Sequence, residues 1–279
     1  MAKTTQDLRQ LDRELFELAK WWGGVALSCK IVGVLLGLAV ILLGLQSKVV
    51  APLIAIVLVL VSEFCAWRAG HFAGIAAPLL AKLDWSDGFG WKISGKEIAE
   101  LLLKVPGRFR QNFSPEITEQ YFASQEPAGP RRAIENVLES AWWSKHLAQK
   151  VGFRYQVITW VMVIFSFAVL VISIQTVQNF DQLASIGRTI TAFVMWIFSF
   201  GVFKLAHSYS GFSSKAARIE ERAEELLKAE PTKEDAITLI YDYQMTRMIA
   251  PMIPTWAYNS MQDELNRLWK QFRQQPPAQ

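Results

Sequence analysis

Four apolar runs in two tight pairs organise this chain. Trp22–Leu45 and Val49–Trp67 make the first pair, with Gln46-Ser47-Lys48 between their cores. Val157–Thr176 and Thr189–Phe203 make the second, separated by a short segment around Asp181. A helix of about 20 apolar residues spans the roughly 30 Å hydrocarbon layer of a bilayer, where only helices and closed barrels satisfy their backbone. The pattern predicts an all-α membrane protein: four transmembrane helices in two hairpins, with a helical cytosolic insert and a helical C-terminal tail. The third run, VITWVMVIFSFAVLVISIQT, is 20 residues without a charge, which few soluble folds contain. The second is the shortest: its unbroken core covers Val49–Val61, and Glu63 interrupts its end.

Outside the runs the periodicity is helical, and no strand alternation stands out. The first 20 residues carry both charge signs on an amphipathic pattern. Asp84–Gly95 is turn-rich, and Ser94 with Glu97 forms a capping box for a helix through Leu103, stopped by Pro106-Gly107. Ser114-Pro115-Glu116 starts another helix. Pro127-Gly129-Pro130 breaks the chain, and a long helix from Arg131 leads towards the third run. After the fourth run a charged helix follows, then one opening at Pro231-Thr232-Lys233-Glu234, the turn APMIPTWAY and an amphipathic helix over Ser260–Phe272. The final QQPPAQ is expected to be disordered. Four domains follow in order: 1–82, the N-terminal helix and first hairpin with its extension; 83–140, the cytosolic insert; 141–229, the second hairpin with its extension; and 230–279, the tail.

Charge orients the arrangement. Of 29 Lys and Arg, Lys48 and Arg188 occupy the hairpin tips, leaving the other 27 on the opposite side. Short translocated loops are poor in basic residues. The expectation is a multi-pass protein of the bacterial inner membrane with both termini cytoplasmic. The net charge of +4 comes from basic residues interleaved with acidic ones, which argues against DNA or RNA as a partner. No signal-peptide cleavage pattern precedes the first run, which is expected to remain as a signal anchor. Cys29 and Cys65 fall near cytoplasmic ends of runs and are expected to be free thiols.

The halves echo one another. Trp21-Trp22 precedes the first hairpin and Trp142-Trp143 the second; Ala66, Gly70 and Gly74 follow the first, and Ala206, Ser210 and Ser214 the second. Gly33 and Gly37 repeat the four-residue spacing inside the first run. Small residues so spaced let helix backbones approach, so these eight positions are candidate helix-packing sites, within the chain or between copies in a homo-oligomer. Gly and Ala are also common filler in membrane helices. Both hairpins start and end on the same side, so the repeat is parallel, which weakens an alternating-access transporter.

Catalytic chemistry is sparse. No run carries an ionisable residue away from its ends, and Lys30, Glu63 and Lys204 are within snorkelling reach of the interface. His71, His146 and His207 lie in unrelated segments, and no metal, phosphate-loop or dinucleotide motif occurs. The chain is therefore expected to be no enzyme, with no cofactor and no metal. Arg131, Arg132, Trp142, Trp143 and Lys145 place cations and aromatic faces along one helix, a combination able to hold a nucleotide by phosphate pairing and base stacking. The plainer account is a positive-inside collar with Trp anchors.

ENVLESAWWSKHLAQKVG ahead of the second hairpin and APMIPTWAYNSMQDELNRLW near the end resemble the SMODS-associating four-transmembrane effector family, with ELAKWW and ITEQYF as weaker matches. The resemblance implies a pore-forming effector of antiviral defence that oligomerises and disrupts the membrane in abortive infection. The trigger it implies is a cyclic oligonucleotide made by a partner nucleotidyltransferase. A membrane scaffold or adaptor that recruits a cytosolic partner, without pore activity, is the alternative. A lipid-acting enzyme at the cytosolic interface is a third class.

Overall fold

The computed structural model describes residues 7–42, 50–110, 121–176 and 202–274, with 179, 184, 187, 190 and 191 besides. Every regular element among them is a helix: α1 (Leu8–Leu42), α2 (Val50–Phe89), α3 (Gly95–Lys104), α4 (Gly107–Arg110), α5 (Pro130–Thr176), α6 (Val202–Lys228), α7 (Lys233–Met248), α8 (Thr255–Asn259) and α9 (Gln262–Gln274). The expected tips at Lys48, Asp181 and Arg188, most of the fourth run and the helix start at Ser114 lie outside the described residues. Among the described residues one helix, over Ile56–Phe89, is long and apolar enough to cross a membrane. The all-helical class therefore stands, and one of the four expected membrane helices meets that criterion.

The chain forms two compact units that interleave along the sequence. Unit 1 gathers residues 1–20, 71–150 and 209–279, and unit 2 gathers 21–70 and 151–208.

In unit 2, α1 and α2 pair antiparallel. Ser62 Oγ donates to the Ala26 carbonyl at 3.0 Å. Lys30 pairs with Glu63 at 3.0 Å, so two charges at the ends of apolar runs meet each other. A Cβ placed on Gly33 would stand 3.8 Å from that of Leu58, an ordinary contact. Trp22 stands edge-on to Phe64, with the Arg68 guanidinium 5.7 Å from its ring. Cys29 and Cys65 are both free.

Unit 1 has the conventional anatomy of a folded helical domain. Ile134, Val137, Leu138 and Trp142 of α5, Ile219 and Ala223 of α6, Leu239, Ile240 and Tyr243 of α7, and Leu265 and Trp269 of α9 are buried in one core. Trp142 lies 5.2 Å from Trp269, ring centre to ring centre. Polar pins cross this core at helix surfaces: the Tyr243 hydroxyl meets Ser144 Oγ at 2.9 Å and the Ser140 carbonyl at 3.0 Å.

Local signals set several boundaries. Ser94 and Glu97 cap α3 reciprocally, and Thr232 with Asp235 does the same for α7. The stretch expected to turn over Asp84–Gly95 instead stays helical to Phe89, and the turn is confined to the residues after it. Gly90 takes a positive φ of 70° there. Gly88 is what lets the last turn of α2 close on α5, since a Cβ at that position would meet Ala133 Cβ at 2.8 Å. The Gly129 amide then donates to the Gly88 carbonyl at 2.9 Å and fixes the start of α5.

Candidate functional site

The most unusual chemistry in unit 1 is a buried network of charges. Arg9 and Asp12 on α1, Asp84 and Asp87 on α2, and Arg247 on α7 form its centre. Arg9, only 3% exposed, pairs with Asp87. Arg247 Nη2 pairs with Asp84 Oδ2 at 2.5 Å, and Gln244 Nε2 donates to the Ala81 carbonyl at 3.0 Å beside it. Tyr121 lies against the network, its ring centre 4.2 Å from the Arg9 guanidinium and 5.9 Å from that of Arg13. Three segments far apart in sequence are thus joined by ion pairs.

Asp12 is the member out of balance. Its side chain is 6% exposed, and Oδ1 has no hydrogen-bond partner among the described residues. Burial pushes its carboxyl up from 3.8 to about 7, with Asp84 adding repulsion, while Arg247, Arg9 and Arg13 pull it back only in part. Burial works against the charge of Arg247, but Asp84 and Tyr243 outweigh it and hold that guanidinium above its ordinary value. Arg9 is lowered by burial. The network can therefore gain or lose one proton near neutrality, at Asp12.

The five expected ligand contacts are spread along α5 and largely engaged within the protein. Arg131, half exposed, reaches Glu126 at 3.6 Å and Glu135 at 4.0 Å. Arg132 Nε is buried without a hydrogen-bond partner among the described residues. Trp142 belongs to the core, and Trp143 stacks on Tyr258 with ring centres 5.9 Å apart. Lys145 pairs with Glu220 at 2.6 Å, and its carbonyl accepts from Ser213 Oγ at 3.1 Å. Packing accounts for Trp142 and Lys145 without any ligand.

The small-residue positions divide. Gly33 touches α2, whereas Gly70 and Gly74 are exposed and a Cβ on either would meet nothing within 4 Å. Ala66 is half-buried and Ala206 buried; Ser210 and Ser214 are exposed, and Ser214 Oγ donates to the Ser210 carbonyl at 3.1 Å. Gly37 lies within α1, and its surroundings are outside what the structure describes. No group of three or more His, Cys, Asp or Glu among the described residues is placed to hold a metal.

A second candidate surface lies in unit 2, where large apolar side chains face outward in quantity. Leu53, Ile56, Val57, Leu60 and Phe64 do so on α2, and Trp160, Ile164, Phe167 and Ile172 on α5; Leu60 is 65% and Phe167 67% exposed. Monomeric soluble proteins rarely expose contiguous apolar surface on this scale. No family model, curated protein or solved structure matches the chain.

Proposed function

We propose that this chain is a membrane-embedded, pore-forming effector whose four apolar runs cross the inner membrane as two hairpins. The outward-facing apolar surface of α2 and α5 in unit 2 carries the membrane reading, because lipid is the environment in which such a surface has no cost. Unit 1, with its ion pairs and conventional core, is the cytosolic part, and both termini lie with it. The resemblance to the SMODS-associating four-transmembrane effectors supplies the pore, the oligomer and the cyclic oligonucleotide trigger. Gly70 and Gly74 favour self-association, since among the described residues no side chain fills the space above them. Arg131 and Arg132 are the phosphate contacts of this reading: Lys145 is held by Glu220 at 2.6 Å, whereas Arg131, half exposed, has only the longer pairs to Glu126 and Glu135 to exchange.

Dye release from liposomes carrying the purified protein tests this reading. Release is expected on addition of one member of a panel of cyclic di- and trinucleotides. Replacing both Arg131 and Arg132 with Ala should abolish release while leaving insertion intact, since a charge-assisted contact contributes about 1.5–3 kcal/mol. Inserted protein that releases no dye with any member of the panel would sink the pore and favour the scaffold.

A further inference from the structure

Met248 and Ile249, at the end of α7, and Trp256, on α8, are large apolar residues turned outward from unit 1. The opposite side of α7 is buried through Ala236, Leu239, Ile240 and Tyr243. Met248 and Ile249 are 67% and 68% exposed, more open than most side chains of the apolar runs, and Trp256 is exposed as well. No charged residue occurs between Arg247 and Asp263, and Arg247 itself turns inward to Asp84. Surface connections in water are ordinarily polar. This one is not.

The segment is held at two points by residues close to the ends of apolar runs. Tyr209 donates its hydroxyl to the Met252 carbonyl at 2.6 Å, and Thr255 Oγ1 donates to Glu17 at 2.9 Å. Glu17 stands five residues before Trp22 on α1, and Tyr209 six residues after Phe203 on α6. At 1.5 Å per residue, six helical residues rise about 9 Å. Pro251 and Pro254 offer no N–H groups that would need water. Trp256 brings an amphipathic ring of the kind enriched where hydrocarbon meets headgroup.

We infer that Met248, Ile249 and Trp256 form an interfacial anchor: the segment from Met248 to Trp256 lies in the boundary between headgroups and acyl chains of the bilayer. This rests on the membrane reading above. Its occupant is a lipid surface rather than a protein, because the segment is uncharged and tethered one to two helical turns from the runs proposed to enter lipid. The anchor fixes the third segment of unit 1 at the membrane without spanning it.

Spin-label accessibility of the full chain in nanodiscs of phosphatidylethanolamine and phosphatidylglycerol tests the anchor, with Cys29 and Cys65 replaced by Ala. Labels go on Ile249→Cys, on Ile164→Cys as the lipid reference and on Lys228→Cys as the water reference. The ratio of oxygen to nickel-chelate accessibility at Ile249 is expected to be shifted above that at Lys228, towards that at Ile164. A ratio at Ile249 equal to that at Lys228, with Ile164 high, overturns the anchor and leaves the membrane reading standing. A label at Ile249 reached by neither reagent overturns it too, since a protein surface then covers the segment. A low ratio at Ile164 removes the membrane reading and the anchor with it. Met248→Cys gives the same readout should Ile249→Cys fail to fold.

Discussion

The two units treat apolar surface and charge in opposite ways. In unit 1 the large apolar side chains of α5, α6, α7 and α9 turn towards one another, Arg9 and Asp12 are buried, and Asp84, Asp87 and Arg247 are half-buried beside them. In unit 2 apolar side chains of α2 and α5 turn outward, and the ion pair of Lys30 with Glu63 sits between α1 and α2. The same α2 and α5 contribute to both units, so helix type does not explain the contrast. Environment does. A helix stabilised in water must hide its apolar face, whereas one stabilised in lipid must hide its charges.

If that contrast is right, single substitutions should disturb one unit and spare the other. The largest effect belongs to Asp12. Its carboxyl titrates at about 7 in the folded protein and at its ordinary 3.8 once unfolded, so between those values the folded state holds the extra proton. Stability should therefore fall as pH rises from about 4 to about 7 and level off above, by up to about 4 kcal/mol. Asp12→Asn should flatten that dependence and exceed the parent in urea resistance at pH 8, read by near-ultraviolet circular dichroism in detergent. A parent protein as stable at pH 8 as at pH 5 would show that Asp12 stays ionised in its network.

Unit 2 answers to a different substitution. Ile164→Asp should weaken membrane insertion of the third run by about 3 kcal/mol, the cost of a carboxylate near the middle of a membrane helix. Glycosylation-site mapping of insertion measures this directly. Unchanged insertion would mean that Ile164 faces water or protein. The smallest effect is local: Ser94→Ala removes the side-chain cap of α3 and should cost about 1 kcal/mol, seen as faster amide exchange at Glu97 and Ile98 alone. Exchange that accelerates throughout unit 1 would make α3 part of its cooperative core.

Several boundaries were legible because local chemistry decides them. The Ser94 and Glu97 box, the break at Pro127-Gly129-Pro130 and the start at Thr232 all use neighbours in sequence. Asp84–Phe89 was not legible as helix, because its Asp, Ser and Gly residues favour turns and only distant partners reverse that preference: Arg9 for Asp87, Arg247 for Asp84 and Ala133 for Gly88. The charge network left one trace in sequence. Asp12 stands four residues after Leu8, in phase with the buried stripe Leu8, Leu11, Leu15 and Ala19, where a solvated carboxylate has no place. Trp142 offered no such trace, since a Trp before an apolar run reads equally well as a membrane anchor and as part of a core.

Interleaving imposes a timetable. Asp84 emerges from the ribosome 163 residues before Arg247, its partner. At ~5–20 residues per second that gap lasts roughly 8 to 33 s. Through that interval the α2 acids lack Arg247, and the core of α5 lacks Trp269. Both apolar pairs have been synthesised before α7 begins. Unit 1 therefore closes last, after both apolar pairs have left the ribosome, and a nascent chain stalled before Arg247 would carry its apolar runs with the charge network still open.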